Sequence, residues 1–390
     1  MSGQKIKILF ISSWYPNRVQ PTHGTFVQMH AEAASLYADV SVLHVCFDTL
    51  TNNDKFETVQ EIRNGINTII IYVNSAPTVL QKYARYFSAY RKGLKMVCVK
   101  CGKPDIIHAN VLLPVGLLFL LLKQFRKIPF VFTEHWTGYL PGDSAKIGKK
   151  DLFLSRLIAR KTAIIMPVSN DLKNAMVNLK LYGNYRVIPN VVNEDFFKPL
   201  IIKESIHDKV RFLHVSSLYD FQKNISGIIR TIHQLSLVRN DFVLNIITDG
   251  EASPFIEMTK ELGIADFFSF EYMKTSSAIA NTMKQSDCLV MFSNFETFSV
   301  VIAEALACGL PVIATDAGGL ASDITNEQGI IIQPGDEVAL FDAMNDMIEH
   351  HKEYDKEKIK AFAHRFRYAK VGEQFLGVYK QVLDQLKNIE

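Results

Sequence analysis

The stretch NFETFSVVIAEALACGLPVIATDAGG, Asn294–Gly319, decides how this chain is read. It follows DCLVMFS, an apolar run of the kind a strand buried on both faces needs. Thr297 is a good N-cap type, so a helix is expected from near Thr297. Gly309 and Pro311 close that helix, PVIATD forms the next strand, and Gly318-Gly319 makes a flexible loop. A strand–helix–strand unit of this kind builds a parallel sheet. Glu296 then stands at the carboxyl end of a strand, where open parallel sheets bind ligands. Glu304 follows two turns along, about 12 Å away at a helical rise. Carboxylates accept hydrogen bonds from vicinal hydroxyls, and the free N–H groups of a helix start suit phosphate. The pattern fits an extended nucleotide-diphosphate sugar, with the sugar at one glutamate and the ribose at the other. Spacing alone would equally allow a capping-region charge and an exposed helix residue; the Gly-Gly loop beside the same edge favours a site.

Working outward, KVRFLHVSS, FVLNIITDG and DCLVMFS read as strands alternating with the helices NISGIIRTIHQL and SPFIEMTKELGI. The first half repeats the logic, with KIKILFISSW, DVSVLHVCF, PDIIHAN, IPFVFTEH and AIIMPVS as strands. The expected fold is α/β: two Rossmann-like, doubly wound parallel-sheet domains facing across a cleft. IPNVVNEDFFKPLIIKES suits an irregular connector, which puts the domains at 1–198 and 199–367. Residues 368–390 form a terminal amphipathic helix expected to pack back on the first domain.

The 390 residues are 48% hydrophobic and 21% charged, a globular balance. The opening MSGQKIKILFISSWYP reads as a first strand rather than an export signal, and Val111–Leu122 is too short to span a bilayer and contains Pro114. Five cysteines without an export signal point to a reducing cytoplasm. Cys98 and Cys101 make a C-x-x-C with no second pair to complete a zinc set. Charge is uneven: residues 1–195 hold 24 Lys+Arg and 13 Asp+Glu, a net +11 against −8 for the rest. Lys82–Lys103 carries seven basic residues and no acid, interleaved with Tyr83, Tyr86, Phe87 and Tyr90. That run reads as a solvated helix face packed by its aromatics, or as a peripheral attachment to an anionic membrane surface. No nucleic-acid recognition motif accompanies it.

ETFSVVIAEALACGLPVIAT followed by Gly-Gly resembles the E-x7-E signature of the retaining glycosyltransferases of family 4, which have the GT-B fold. GTFVQMHAEAA, DIIHAN, VFTEHW, PVSNDLKNAM, VIPNVVNEDFFKP, DGEASPFIEMTKELGI and FRYAKVGEQFLGVY resemble further segments of that family across nearly the whole chain. The resemblance implies transfer of a sugar from a nucleotide-diphosphate donor, such as a UDP-sugar, to a glycan or lipid-linked acceptor. Configuration would be retained and no metal or cofactor required, and surface polysaccharide or glycolipid synthesis is the expected setting. By the same resemblance Glu296 contacts the transferred sugar, Glu304 the ribose and Lys223 the diphosphate. Gly24 lets backbone approach the phosphates, His135 faces the transferred sugar, and Phe298 and Ser299 supply amides, with Thr297, Asp249 and Gly250 on the donor side. Further candidates are His108, Asn110, Ser217 and Asn190.

Several positions depart from the family pattern. HVSSLYDFQKN has Ser216 and Ser217 where Gly-Arg is usual, so one phosphate cation is missing unless Lys146, Lys149 or Lys150 compensates. Ser299 replaces a glycine, Asn110 stands where a second histidine is common, and the usual acid after Gly-Gly falls at Ser322, beside Asp323. The rival functions are a nucleotide-sugar epimerase of similar fold and a non-catalytic nucleotide-sugar-binding protein. A nicotinamide dehydrogenase is disfavoured because SSWYPNRVQPTHG lacks G-x-G-x-x-G.

Overall fold

The computed structural model describes residues 5–48, 55–74, 76–121, 128–143, 147–199, 208–272 and 274–387. The chain divides into two compact units. The first comprises Met1–Tyr139, Lys146–Val191 and Tyr368–Glu390; the second comprises Leu140–Ala145 and Val192–Arg367. The main crossover thus falls at Val191, some residues ahead of the expected 198, and a short excursion at 140–145 joins the second unit.

The first unit is built on β1 (Lys7–Ser12), β2 (Asp39–Phe47), β3 (Phe56–Arg63), β4 (Ile66–Val73), β5 (Ile106–Asn110), β6 (Phe130–Glu134) and β7 (Ile165–Pro167), in the sheet order β3-β4-β2-β1-β5-β6-β7. All pairs are parallel except β3 with β4. That hairpin, unforeseen above, turns through Asn64 and Gly65, both at positive φ (49° and 80°). Asn-Gly is the pair such a two-residue turn requires. Without that edge strand, the order is the doubly wound one, reversing direction between β1 and β5.

The second unit carries β8 (Val210–Val215), β9 (Phe242–Thr248), β10 (Phe268–Tyr272), β11 (Cys288–Met291), β12 (Val312–Thr315) and β13 (Gly329–Ile332). Their order, β10-β9-β8-β11-β12-β13, is the same doubly wound pattern, fully parallel, reversing between β8 and β11. The flanking helices follow from apolar spacing. In the helix Ile225–Ser236, Ile225, Ile228, Ile229, Ile232 and Leu235 share one face, and all are buried. Asn224, in the left-handed region at φ 51°, caps it by accepting the Gly227 amide at 3.2 Å. Ile228→Ala would cost roughly 2–5 kcal/mol in this core. The terminal helix Tyr368–Lys387 buries Val371, Phe375, Val378, Tyr379 and Val382 in the core of the first unit. It crosses the helix Thr25–Ser35 so closely that a Cβ on Gly372 would lie 2.2 Å from the Ala33 carbonyl oxygen.

Candidate active site

In a doubly wound sheet, the loops leaving two neighbouring strands part company where the order reverses, and the crevice they leave is a ligand site. In the second unit those loops follow β8 and β11, and they carry Lys223 and Glu296. The β8 loop passes through left-handed Leu218 (φ 57°), then a single helical turn, Asp220–Lys223. Ser216 Oγ holds it by accepting the Leu218 amide at 3.1 Å. The β11 loop is fastened to it. Asn294 donates its backbone N–H to the Gln222 oxygen at 2.7 Å and its side-chain amide to the Phe221 oxygen at 2.9 Å, while Gln222 donates to the Phe295 oxygen at 3.3 Å.

These ties bring together two residues 73 apart in sequence. Lys223 Nζ donates to Glu296 Oε1 at 2.5 Å. Ser293 Oγ donates to the same oxygen at 2.9 Å, and the Glu296 amide is anchored on the Ala317 oxygen at 2.9 Å. Both side chains are mostly buried, at 15% and 10% exposure, which strengthens the pair relative to a surface one. Both bonds fall on Oε1, so Oε2 accepts from no group among the described residues.

The helix expected from Thr297 begins three residues later. It runs Val300–Ala307, and its N-cap is Ser299 in the left-handed region (φ 62°). Thr297 is a partly buried loop residue and caps nothing. Glu296 therefore precedes the helix, and a helical rise does not measure its separation from Glu304. The late start has a chemical consequence. Among the described residues, the amides of Thr297, Phe298, Ser299, Val300 and Val301 donate to no protein acceptor, and they stand at the positive end of the helix. The buried Ser299 Oγ is also unpaired. Gly319 (φ 75°) presses against this segment: a Cβ there would lie 2.8–3.0 Å from Phe298 backbone atoms. The Leu320 amide donates to the Phe298 oxygen at 3.0 Å.

Glu304 lies in the second turn of the helix, partly exposed, with no cation beside it among the described residues. Burial pushes its carboxyl up to about 8. Ser217 and Gly250 meet through their backbones, since a Cβ on Gly250 would sit 1.9 Å from the Ser217 oxygen. The Gly250 amide donates to Thr248 Oγ1 at 2.8 Å, and Asp249 is exposed beside it. The second unit thus joins Lys223 to Glu296 ahead of the 297–301 amides, with Glu304 further along the same helix and Ser217, Asp249 and Gly250 at neighbouring strand ends.

The first unit holds the remaining candidates. Gly24 (φ 78°) caps the helix Thr25–Ser35, and a Cβ would lie 2.6–2.7 Å from the Trp14 and Tyr15 backbone, so only glycine fits. His135 follows β6, buried, with both ring nitrogens unpaired. The Asn190 side chain lies within reach of the ring and draws its pKa up as a hydrogen-bond partner would, although no bond of regular geometry closes on either ring nitrogen or on Asn190 Oδ1. Burial, with His30 and His108 nearby, holds the His135 pKa well below the ordinary 6.5, so the ring is neutral. His108 is different. Its nitrogens bond Tyr379 Oη at 2.8 Å and Thr133 Oγ1 at 2.7 Å, which makes it a satisfied core histidine with no nitrogen left for a ligand. Asn110 is buried with Oδ1 unpaired. Lys149 and Lys150 are exposed in the first turn of the helix Lys149–Ala159; Lys146 lies outside the described residues.

Sequence reasoning missed Glu134 and Ser293. Glu134 is fully buried and accepts the amides of Leu112 at 3.1 Å, His135 at 2.9 Å and Trp136 at 3.0 Å; burial outweighs these bonds and raises its carboxyl to about 7. An acid directly before the candidate histidine was the available signal. Cys98 and Cys101 are free thiols in the last turn of the helix Val79–Cys101.

Comparison with known proteins agrees with this architecture. Residues 26–196 match the model of Glycosyltransferase Family 4, and residues 196–365 match that of Glycosyl transferases group 1. N-acetyl-alpha-D-glucosaminyl L-malate synthase of Bacillus anthracis is 25% identical over 73% of this chain and 76% of its own length. The putative teichuronic acid biosynthesis glycosyltransferase TuaC of Bacillus subtilis is 22% identical over 87% and 88%. Among solved structures, sucrose-phosphate synthase of Thermosynechococcus elongatus superposes with a TM-score of 0.75 at 19% identity, over 98% of this chain and 100% of that one. Anabaena HepE in complex with UDP superposes at 0.74 and 16% identity, over 96% and 100%. The two doubly wound units are those of the GT-B fold, and the chain belongs to the family 4, group 1 glycosyltransferases.

Proposed function

We propose that this glycosyltransferase moves a sugar from a nucleotide-diphosphate sugar to a glycan or lipid-linked acceptor, retaining the anomeric configuration and using no metal ion. The observation that carries the reading is the Lys223–Glu296 pair lying before five amides that have no acceptor among the described residues, at the switch point of the second sheet. Bond cleavage leaves growing negative charge on the diphosphate. A lysine and the positive end of a helix stabilise that charge where a cation would otherwise be needed. Lys223 then exchanges part of its bond to Glu296 for phosphate oxygens, and the open Oε2 of Glu296 accepts a hydroxyl of the transferred sugar. Glu304 accepts from the ribose. In the first unit, His135 meets substrate: its ring is neutral and buried, and among the described residues neither nitrogen makes a hydrogen bond of regular geometry. HepE, whose fold this chain shares, has been captured with UDP and with UDP-glucose, which supports a UDP-sugar as donor class. Retention rests on the family resemblance: the acceptor hydroxyl attacks the face the diphosphate leaves and passes its proton to that leaving group.

No helix among the described residues is long and apolar enough to cross a membrane. The proposal places the protein in the cytoplasm, at the inner membrane face, acting in surface polysaccharide or glycolipid synthesis. Glu296→Gln should cut turnover by at least about 100-fold, the loss typical of removing one transition-state contact, with the fold intact. Unchanged turnover would remove Glu296 from the mechanism. Incubating donor without acceptor and finding an isomerised sugar would instead favour an epimerase.

A further inference from the structure

The first unit has its own switch point, between β1 and β5, and its chemistry is unlike that of the second. The loops leaving β1, β5 and β6 surround a cavity of about 480 Å³. Trp14, Tyr83, Phe87, Leu113, Leu117 and Trp136 form its walls, and Lys150 and Asp151 lie at its rim. The chain has two tryptophans, and both are here. The walls are fixed in place. Ser13 Oγ donates to the Leu113 oxygen at 3.1 Å. Glu134 holds the Leu112 amide on one side and the Trp136 amide on the other. Trp136 lies over Gly138, where a Cβ would meet its ring at 2.3 Å, and Trp14 packs edge-on to Phe26 at 6.1 Å. An aromatic slot with so few polar groups among the described residues suits hydrocarbon better than a sugar or a small polyacid.

An apolar stripe leads from solvent toward this slot. Val79 (71% exposed), Leu80 (81%) and Tyr83 (47%) occupy the first turns of the helix Val79–Cys101, and Phe87 follows Tyr83 by four residues. Lys82 stands within the stripe's turns, and the basic charge continues along the helix beyond it. The same helix bears exposed Lys82, Arg91, Lys92, Lys95 and Lys100 and no acid, and Lys149 adds to Lys150 against the single Asp151. Apolar walls with a basic surround complement an anionic amphiphile.

We propose that this cavity holds the hydrocarbon chain of an anionic lipid acceptor, inserted between Trp14 and Trp136 with its phosphate toward Lys150. The inference rests on the glycosyltransferase reading for the word acceptor, but chain binding is measured without transfer. Intrinsic tryptophan fluorescence reports on this slot alone. A long-chain alkyl phosphate brominated near its chain end, titrated below its micelle concentration, should quench that emission saturably, and inorganic phosphate should not. Tyr83→Ser with Phe87→Ser should weaken binding by about tenfold or more, the scale of lost apolar wall area. Lys150→Glu, on an exposed site that cannot unfold the chain, should weaken binding of the alkyl phosphate while leaving the matching bromoalkanol unaffected. Glu296→Gln should keep the quenching while losing transfer, which separates failure of this inference from failure of the catalytic one. No quenching, quenching indifferent to the wall variants, or quenching by brominated vesicles alone would overturn it; the last would mean that the aromatic face touches a bilayer rather than one chain.

Discussion

Replacing Glu304 by glutamine should stabilise the ligand-free protein at alkaline pH while weakening its hold on the donor. The carboxyl ordinarily titrates near 4.5, and burial without a cationic partner pushes it up to about 8. Between those values the folded chain keeps a proton that the unfolded chain has released. Stability therefore falls as pH rises through this window, at about 1.4 kcal/mol per pH unit, and levels off above it. The full cost above about pH 8 is on the order of 5 kcal/mol. Glutamine carries no charge to bury, so the variant should match the wild type near about pH 5 and exceed it near about pH 9. Each kcal/mol moves Tm by about 2–4 °C for a cooperative block the size of the second unit, a difference that thermal denaturation across pH reads directly. A ribose hydroxyl donating to the carboxylate favours its charged form. Nucleotide-sugar binding near neutral pH should thus release a proton, and calorimetry in two buffers of different ionisation enthalpy would detect it. Superimposable Tm–pH curves for wild type and variant would refute the argument, because a carboxylate desolvated without a cationic partner must cost stability once charged.

Two substitutions probe the scaffolds of the two units. Gly319→Ala forces a Cβ to within 2.8 Å of the Phe298 backbone at a φ of 75°; it should raise the donor Kd about tenfold or more by displacing the 297–301 amides, at a cost of roughly 1–3 kcal/mol in stability. Glu134→Ala strands the buried amides of Leu112 and His135 and the half-buried amide of Trp136. It should cost about 2–5 kcal/mol in denaturant melts and shift tryptophan emission to the red, and an unaltered melt would show that water replaces the carboxylate.

The doubly wound architecture was legible because buried parallel strands must be continuous apolar runs and their crossover helices must show a buried stripe; DCLVMFS and NISGIIRTIHQL needed nothing else. The Asn64-Gly65 hairpin was equally legible and was overlooked. The start of the helix at Val300 was not, because the propensity of Thr297 to cap is worth about 1 kcal/mol, and packing of Gly319 on the Phe298 backbone overrode it. His108 lies inside β5 and His135 directly after β6, and sequence alone offers both as candidates. Only the tertiary structure gives His108 to Tyr379, on a helix 271 residues away, and leaves the His135 ring without a hydrogen bond of regular geometry among the described residues. By itself the sequence determined which strands and helices form and which chemical groups sit at strand ends, since those depend on local periodicity and backbone chemistry. The tertiary structure alone decided that Lys223 grips Glu296, that Glu304 has no partner among the described residues and that two distant tryptophans share one slot. Pairing energies and desolvation depend on distances between segments far apart in the chain, and local sequence does not encode them.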